Sequence, residues 1–282
     1  MCDSPFERCG LASLSDLQHP EAISLLQEME ALQDQFLNLK PHSPGYSWPK
    51  DALHTWSRVW EYPYVLHHVR AWRCAYSGPH IPTAVDFGSG VTFFPFAVAR
   101  EGINVICVDK ELTYGNDIER VARHLSAGTG SVSFRGTNGC QLPFDSASVD
   151  LVYSISVFEH LPEYPALLTQ LARILKPGAR LLLTVDIDLG RDSDIGLGPA
   201  RYKKLREALR DYFTPIYESQ PVHPGLLLTT FTSPFPFYKE GRRLGRLWRL
   251  CKEELLKPLL RRPRFSPWHL ACEGMVLWKR DK

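Results

Sequence analysis

The sequence predicts an α/β fold, a doubly wound sheet of parallel strands, and three observations carry the prediction. Short β-rich runs alternate with helical patterns from residue 83 onward. The first run, Thr83-Ala84-Val85-Asp86-Phe87, leads into the turn Gly88-Ser89-Gly90. The second, Asn104 to Asp109, ends in a carboxylate 19 residues after Gly90. A glycine turn leaving one strand and an acid about 20 residues on, at the end of the next, describe a βαβ nucleotide-binding half.

Each element follows from local chemistry. Residues 1 to 18 show little apolar periodicity and are expected to be loose. From Pro20, the residues Leu25, Met29, Leu32, Phe36 and Leu39 recur at spacings of four and three, one stripe of a helix that Pro20 can begin. Pro41, Pro44, Gly45 and Pro49 break it. The aromatic run Trp56 to Tyr64 contains Pro63, which is expected to open a fresh helix through Val65, Val69 and Trp72. Its plain reading is a plug packing N-terminal helices onto the sheet. After the first strand, Pro95 suits the first turn of a helix ended by Gly102, and Ile118, Val121, Ala122 and Leu125 mark another. A short strand at Ser131 to Phe134, a strand at Ser148 to Ile155, a helix through Leu167, Leu171 and Leu175, and a strand from Ala179 to Ile187 follow. Residues 199 to 213 read as a helix, Leu226 to Phe231 as strand-like, and His269 to Lys279 as a last strand.

Composition narrows the class. The 282 residues are 44% hydrophobic and 23% charged with net charge +2, which gives no bulk attraction to nucleic acid. The seven cysteines are scattered without a Cys-x-x-Cys pair, so neither a disulfide framework nor a zinc site is expected. No signal-peptide pattern and no membrane-length apolar run occurs, so a soluble cytoplasmic protein is expected. Charge is unevenly spread: residues 239–264 carry about +7, leaving about −5 elsewhere, in a pattern that suits a lid, an anionic surface contact or nucleic acid.

The glycine turn discriminates among nucleotides. Gly88 and Gly90 supply backbone freedom and close approach, and Asp109 can accept hydrogen bonds from both hydroxyls of a ribose. Phe93 stands where a dinucleotide fingerprint has its third glycine, which disfavours a pyrophosphate. Asp86, two residues before the first glycine, suits a ligand with a cationic centre.

With these residues the chain resembles the class I S-adenosylmethionine-dependent methyltransferases, of the type-11 kind. Acid-x-Gly-x-Gly is their first motif; Leu142-Pro143-Phe144, the run ending in Glu159-His160-Leu161, and Lys176-Pro177-Gly178 before an apolar strand match further segments in order. The resemblance implies a Rossmann-like seven-stranded sheet with an antiparallel last strand and an N-terminal helical cover. It divides the chain into an N-terminal extension or lid (1–78), a cofactor-binding core (79–190), and a C-terminal part (191–282) with a basic insertion at 239–264. It implies S-adenosylmethionine as cofactor, held by Asp86, Gly88, Ser89, Gly90, Asp109, Lys110, Asn138, Gly139 and Ser154. Asn138 stands where the family has an Asp that receives the adenine amino group; its side-chain carbonyl can still accept that bond. Arg58 is expected to meet the methionine carboxylate, and Trp60, Tyr62 and Tyr64 to line the acceptor pocket.

Methyl transfer is an in-line displacement, so the protein must align donor and acceptor and exclude water. A base is needed where a hydroxyl acceptor must lose its proton. His160 is the first candidate and His223, on a nearby loop, the second. Asp186, Asp188, Asp192 and Asp194 are read as a solvated acidic loop, so no metal is expected. The expected partner is a small-molecule acceptor methylated at O or N, and a homodimer is compatible with the pattern. A macromolecular or lipid-linked anionic acceptor and a cofactor-binding module without turnover are the competing readings.

Overall fold

Seven consecutive buried residues, Val149 to Ile155, mark a strand covered on both faces, the signature of an internal parallel strand. Among the described residues it is the fifth of eight strands in one sheet. The computed structural model describes residues 4–138, 141–190, 195–235 and 270–280. The strands are β1 (Gly10–Leu11), β2 (Thr83–Phe87), β3 (Asn104–Asp109), β4 (Ser131–Gly136), β5 (Val149–Ile155), β6 (Leu175–Asp188), β7 (Phe213–Pro215) and β8 (Leu270–Lys279). Their order is β1-β8-β6-β5-β2-β3-β4, with β7 also on β8. Strands β6, β5, β2, β3 and β4 run parallel, and β8 is antiparallel to β6, as expected for the last strand. The order turns back between β2 and β5, and in open α/β sheets the crevice at such a point, at the carboxyl ends of the strands, takes the ligand.

The helices are α1 (Pro20–Asn38), α2 (Arg58–Ala75), α3 (Phe94–Arg100), α4 (Thr113–Ala122), α5 (Pro165–Ile174) and α6 (Pro199–Arg210). Apolar residues cover both faces: Phe96, Val98, Ile118 and Val121 pack with one side, Leu168, Leu171, Leu205 and Leu209 with the other. Pro20 opens α1 and Pro95 lies in the first turn of α3, as the sequence predicts, whereas β6 begins at Leu175 and takes in Lys176-Pro177-Gly178, four residues before the expected start at Ala179.

Several expectations are corrected. The first residues are not loose: Phe6 is fully buried against Trp60 and Tyr64, and Gly10–Leu11 adds an eighth strand by pairing with Gly274 and Glu273. The expected fresh start at Pro63 is absent. Helix α2 begins at Arg58 and runs through Pro63, because Trp60, Tyr62, Tyr64 and Val65 all gain burial, which offsets the backbone bond that proline forfeits. Residues 226 to 231 form no strand: a 3-10 turn at Pro224–Leu226 gives way to isolated bridges from Leu227 to Ser13 and from Thr229 to Ala271. Asp186 and Asp188 are not solvated loop acids. They belong to β6 and are 8% and 3% exposed. Asp192, Asp194, Gly139, His269 and the basic stretch 239–264 lie outside the described residues.

Candidate functional site

The glycine turn is built as a ligand cradle. Gly88 and Gly90 have φ of +76° and +55°, values that side chains with a Cβ rarely adopt. Gly88 N–H donates to the carbonyl of Val108, at 2.8 Å, which fastens the turn to β3. The Ser154 hydroxyl donates to the Phe87 carbonyl, so Ser154, fully buried, holds the turn from beneath. A Cβ added at Gly88 would lie 2.4 Å from Val157. At Gly90 the only neighbour within 4 Å of such an atom among the described residues is the Tyr46 hydroxyl, at 3.5 Å. Gly88 thus serves packing, and Gly90 fronts open space.

The two acids flank this turn. The Asp109 carboxylate accepts from Gly90 N–H through Oδ2 and from Glu111 N–H through Oδ1, each at 3.0 Å, which fixes its orientation while leaving further lone pairs on both oxygens. Asp86 is 5% exposed, and burial pushes its pKa up to about 8, the phenol of Tyr153 offsetting this and the charge of Asp109 adding to it. The Arg58 charge also lowers it, yet burial prevails, so a ligand that brings positive charge would stabilise the Asp86 carboxylate. A lightly covered Gly90, an oriented acid at 109 and a buried acid at 86 fit the ribose and cationic end of S-adenosylmethionine.

A roof closes over the turn from a segment the sequence reading treated as a break between helices. His42 Nε2 lies 3.0 Å from the Val91 carbonyl and stacks on Tyr46, whose hydroxyl reaches the N–H and carbonyl of Val91. Tyr46 packs edge-on against Tyr114. Trp48, half exposed, lies 6.1 Å from the ring of His160. Ser43 binds Asp117 through its N–H and hydroxyl, and Arg120 donates to the carbonyls of Leu39, Lys40 and Pro41. The available signal was three aromatic rings, His42, Tyr46 and Trp48, set among the prolines and glycine of residues 41–49.

The other named residues divide. Arg58 lies near the turn, paired with Glu61 and donating to Ser156 Oγ at 2.6 Å. Tyr62 stacks on Phe94 and meets Phe93 edge-on, with the Arg58 guanidinium 5.7 Å from its ring centre. Trp60 and Tyr64 stack on each other beneath the N-terminal segment, their polar tips donating to Asp16 and to the Arg8 carbonyl. They form the plug. His160 is exposed on a short 3-10 turn after β5. His223 lies at the β1 end of the sheet, lining a pocket of about 530 Å³ with Arg8, Asp16 and Gln220. Lys110 and Asn138 are exposed beyond β3 and β4, and Asn138 Oδ1 accepts from Gln141 N–H. Ser89 is 6% exposed.

Sequence reasoning missed a buried polar cluster at the ends of β5 and β6. Ser156, with φ +49° in the left-handed region, donates to Glu61 Oε1 at 2.7 Å, and Thr184 also donates to Glu61. Glu159, Asp186 and Cys272 lie with them. A non-glycine residue held in that conformation beside a charged cluster is typical of a functional site.

Comparison with known proteins agrees with this geometry. Residues 85–183 match the family described as methyltransferase domain. An uncharacterised methyltransferase of Mycobacterium tuberculosis is 30% identical over 132 residues, covering 46% of this chain and 50% of its own. The chain spans about half the length of the curated relatives it matches. Among solved structures, the cyclase SpnF superposes with TM-score 0.54 at 16% identity over 98% of this chain and 100% of its own. Geranyl diphosphate C-methyltransferase of Streptomyces coelicolor, solved with Mg2+, geranyl diphosphate and S-adenosylhomocysteine, superposes with TM-score 0.51 at 15% identity, covering 97% and 92%. These two likenesses establish the fold. No described helix is long and apolar enough to cross a membrane.

Proposed function

We propose that this chain, whose residues 85–183 form a methyltransferase domain of the S-adenosylmethionine-dependent type, transfers a methyl group to an O or N atom of a small molecule. The observation that carries the reading is the turn itself: a Gly90 met only by the Tyr46 hydroxyl among the described residues, between an oriented Asp109 and a buried Asp86 whose pKa burial raises. When bound, S-adenosylmethionine supplies a methyl group on a cationic sulfur, already activated by its charge. Asp109 would hold the ribose hydroxyls, and Asp86 would face the cationic end. Asn138 would take the adenine side, at the end of β4. Tyr46 and Trp48 exclude water from the turn and hold the cofactor against it, so that the acceptor meets the methyl group in line.

The acceptor side faces Ser156, Arg58 and the cluster behind them. Arg58 is committed to Glu61 and Ser156, so it orients this wall and would reach a methionine carboxylate only with its remaining N–H groups. His160, exposed beside Trp48, is the residue through which a hydroxyl acceptor would lose its proton. The test is a mass-spectrometric screen of extract components incubated with the protein and labelled S-adenosylmethionine. A labelled product heavier by one methylene supports the reading. Cofactor binding without any labelled product would leave a binding module instead.

A further inference from the structure

Three buried carboxyls share one guanidinium beside the cofactor turn, and the way they divide it identifies a second site. Glu61, in the first turn of α2, is fully buried yet amply satisfied. Burial pushes its pKa up, but the Arg58 charge and the hydroxyls of Thr184 and Ser156 more than reverse this, so Glu61 stays ionised. The Cys272 thiol also points to it. Arg58 gives its Nη1 to Glu61 and Ser156 and reaches the other two carboxyls only through its charge.

Glu159 and Asp186 receive nothing comparable. Glu159 is 0% exposed, and neither of its oxygens has a hydrogen-bond partner of good geometry. The peptide N–H groups of Glu159 and Asp186 and the Arg58 charge lower its pKa, but burial outweighs all of them. Asp186, 8% exposed, has Oδ1 unpartnered. Burial pushes Glu159 up to about 8, and it raises Asp186 as well, with the charges of Glu159 and Glu61 adding to the effect. An ionised carboxylate buried without a partner is strongly disfavoured, so this pair keeps its protons. The lone pairs remain unused. What completes such a site is a cation that brings its own N–H donors.

A metal ion fits less well, although Glu61, Asp186 and Cys272 present ligand atoms within 4.8 Å of one another. Binding there would require Glu61 to give up Arg58, and Cys272 to ionise although burial holds its thiol well above the usual range. An ammonium needs only the acceptors left over. The pair also stands in the right place, since Glu159 follows β5, Asp186 lies near the end of β6, and β5 adjoins β2 with its glycine turn. Arg58, 23% exposed on its side chain, is the most accessible of the four charged groups in the cluster.

We propose that Glu159 and Asp186 form the acceptor subsite and bind the protonated nitrogen of an amine, taking back one proton so that its lone pair is free to attack, which makes the acceptor class amines bound as cations. This rests on the methyltransferase reading, and the two can fail separately. The experiment titrates methylammonium, with methanol as the neutral match, into protein saturated with S-adenosylhomocysteine, by calorimetry in two buffers of different ionisation enthalpy. Saturable methylammonium binding with proton release is expected, and none for methanol. Glu159→Gln and Asp186→Asn should each weaken it about tenfold while S-adenosylhomocysteine binding is unchanged, which also certifies their folding. Equal behaviour of methylammonium and methanol, or binding unaffected by both substitutions, overturns the subsite. So does tight Zn2+ binding that Cys272→Ala abolishes. Failure of the wild-type protein to bind S-adenosylhomocysteine would instead sink the underlying reading.

Discussion

Replacing Gly88 by alanine tests whether the turn is built for a ligand, and its cost can be worked from the structure. Two terms add. At φ +76° a Cβ meets the following carbonyl, which costs about 1–2 kcal/mol in the left-handed region. The new Cβ would also lie 2.4 Å from Val157 Cγ2 and 2.8 Å from Cγ1, well inside contact, so Val157 must move at an overpacking cost of about 1–3 kcal/mol. A sum near 3 kcal/mol lowers Tm by roughly 6–12 °C for a domain of this size. Gly178→Ala isolates the first term, because Gly178 has φ +69° and nothing within 4 Å of a Cβ. It should lose only about 1–2 kcal/mol. Adding Val157→Ala to Gly88→Ala should return much of the second term, since the Val157 Cβ stands off at 3.2 Å. Melting curves measure stability, and calorimetry measures S-adenosylhomocysteine affinity. The single Gly88 variant should bind at least about tenfold more weakly, as its turn is displaced from Asp109, and Gly178→Ala should bind normally. If Gly88→Ala melts like Gly178→Ala and binds like wild type, the assignment of this turn is wrong.

Three further outcomes are expected. His68 is fully buried, and burial, with the charge of neighbouring His67, pushes its pKa down to about 3. Below the ordinary histidine value of about 6.5 only the unfolded chain takes up this proton, so stability falls as the pH drops, by about 4–5 kcal/mol in all by pH 3. His68→Phe should flatten urea-unfolding curves compared between pH 6.5 and 4. Asp86 has the opposite sign: its raised pKa means the empty protein loses stability as pH rises from about 4 toward 8. Ionisation of Asp86 across the upper part of that window should therefore strengthen S-adenosylmethionine relative to the uncharged-sulfur product, and calorimetry on Asp86→Asn should show a ratio flat with pH. Arg120→Ala removes the donors that hold the carbonyls of Leu39, Lys40 and Pro41, so hydrogen exchange at residues 41–48 should accelerate and cofactor release, followed by stopped flow, should quicken.

What was legible in the sequence is what local chemistry decides. The order of strands and helices from 83 to 188 follows from periodicity punctuated by glycine and proline, and Gly88, Gly90, Asp86 and Asp109 announce themselves by spacing along one βαβ unit. What stayed hidden depends on distant parts of the chain. Phe6 is buried because Trp60 and Tyr64 offer it a surface, and Gly10–Leu11 becomes a strand because β8 presents an edge. Pro63 sits inside a helix because the aromatics around it pack on both sides. Asp186 looked like one of four loop acids, and only the register of β6 against β8, which sets Asp186 opposite Cys272, turns it inward toward Glu61 and Glu159. Glu159 was visible as part of a motif whose histidine drew the attention. The roof at His42, Tyr46 and Trp48 carries no periodicity at all.

The central claim is that Asp86 and Asp109, either side of Gly88 and Gly90, hold a sulfur nucleoside. Calorimetry of S-adenosylmethionine against the wild-type chain and Asp109→Asn measures it most directly. One site per chain in the wild type is expected, weakened roughly tenfold or more in the variant, as the ribose hydroxyls lose a charged acceptor. Absence of saturable heat with the wild type, or equal affinity in the two proteins, would contradict it.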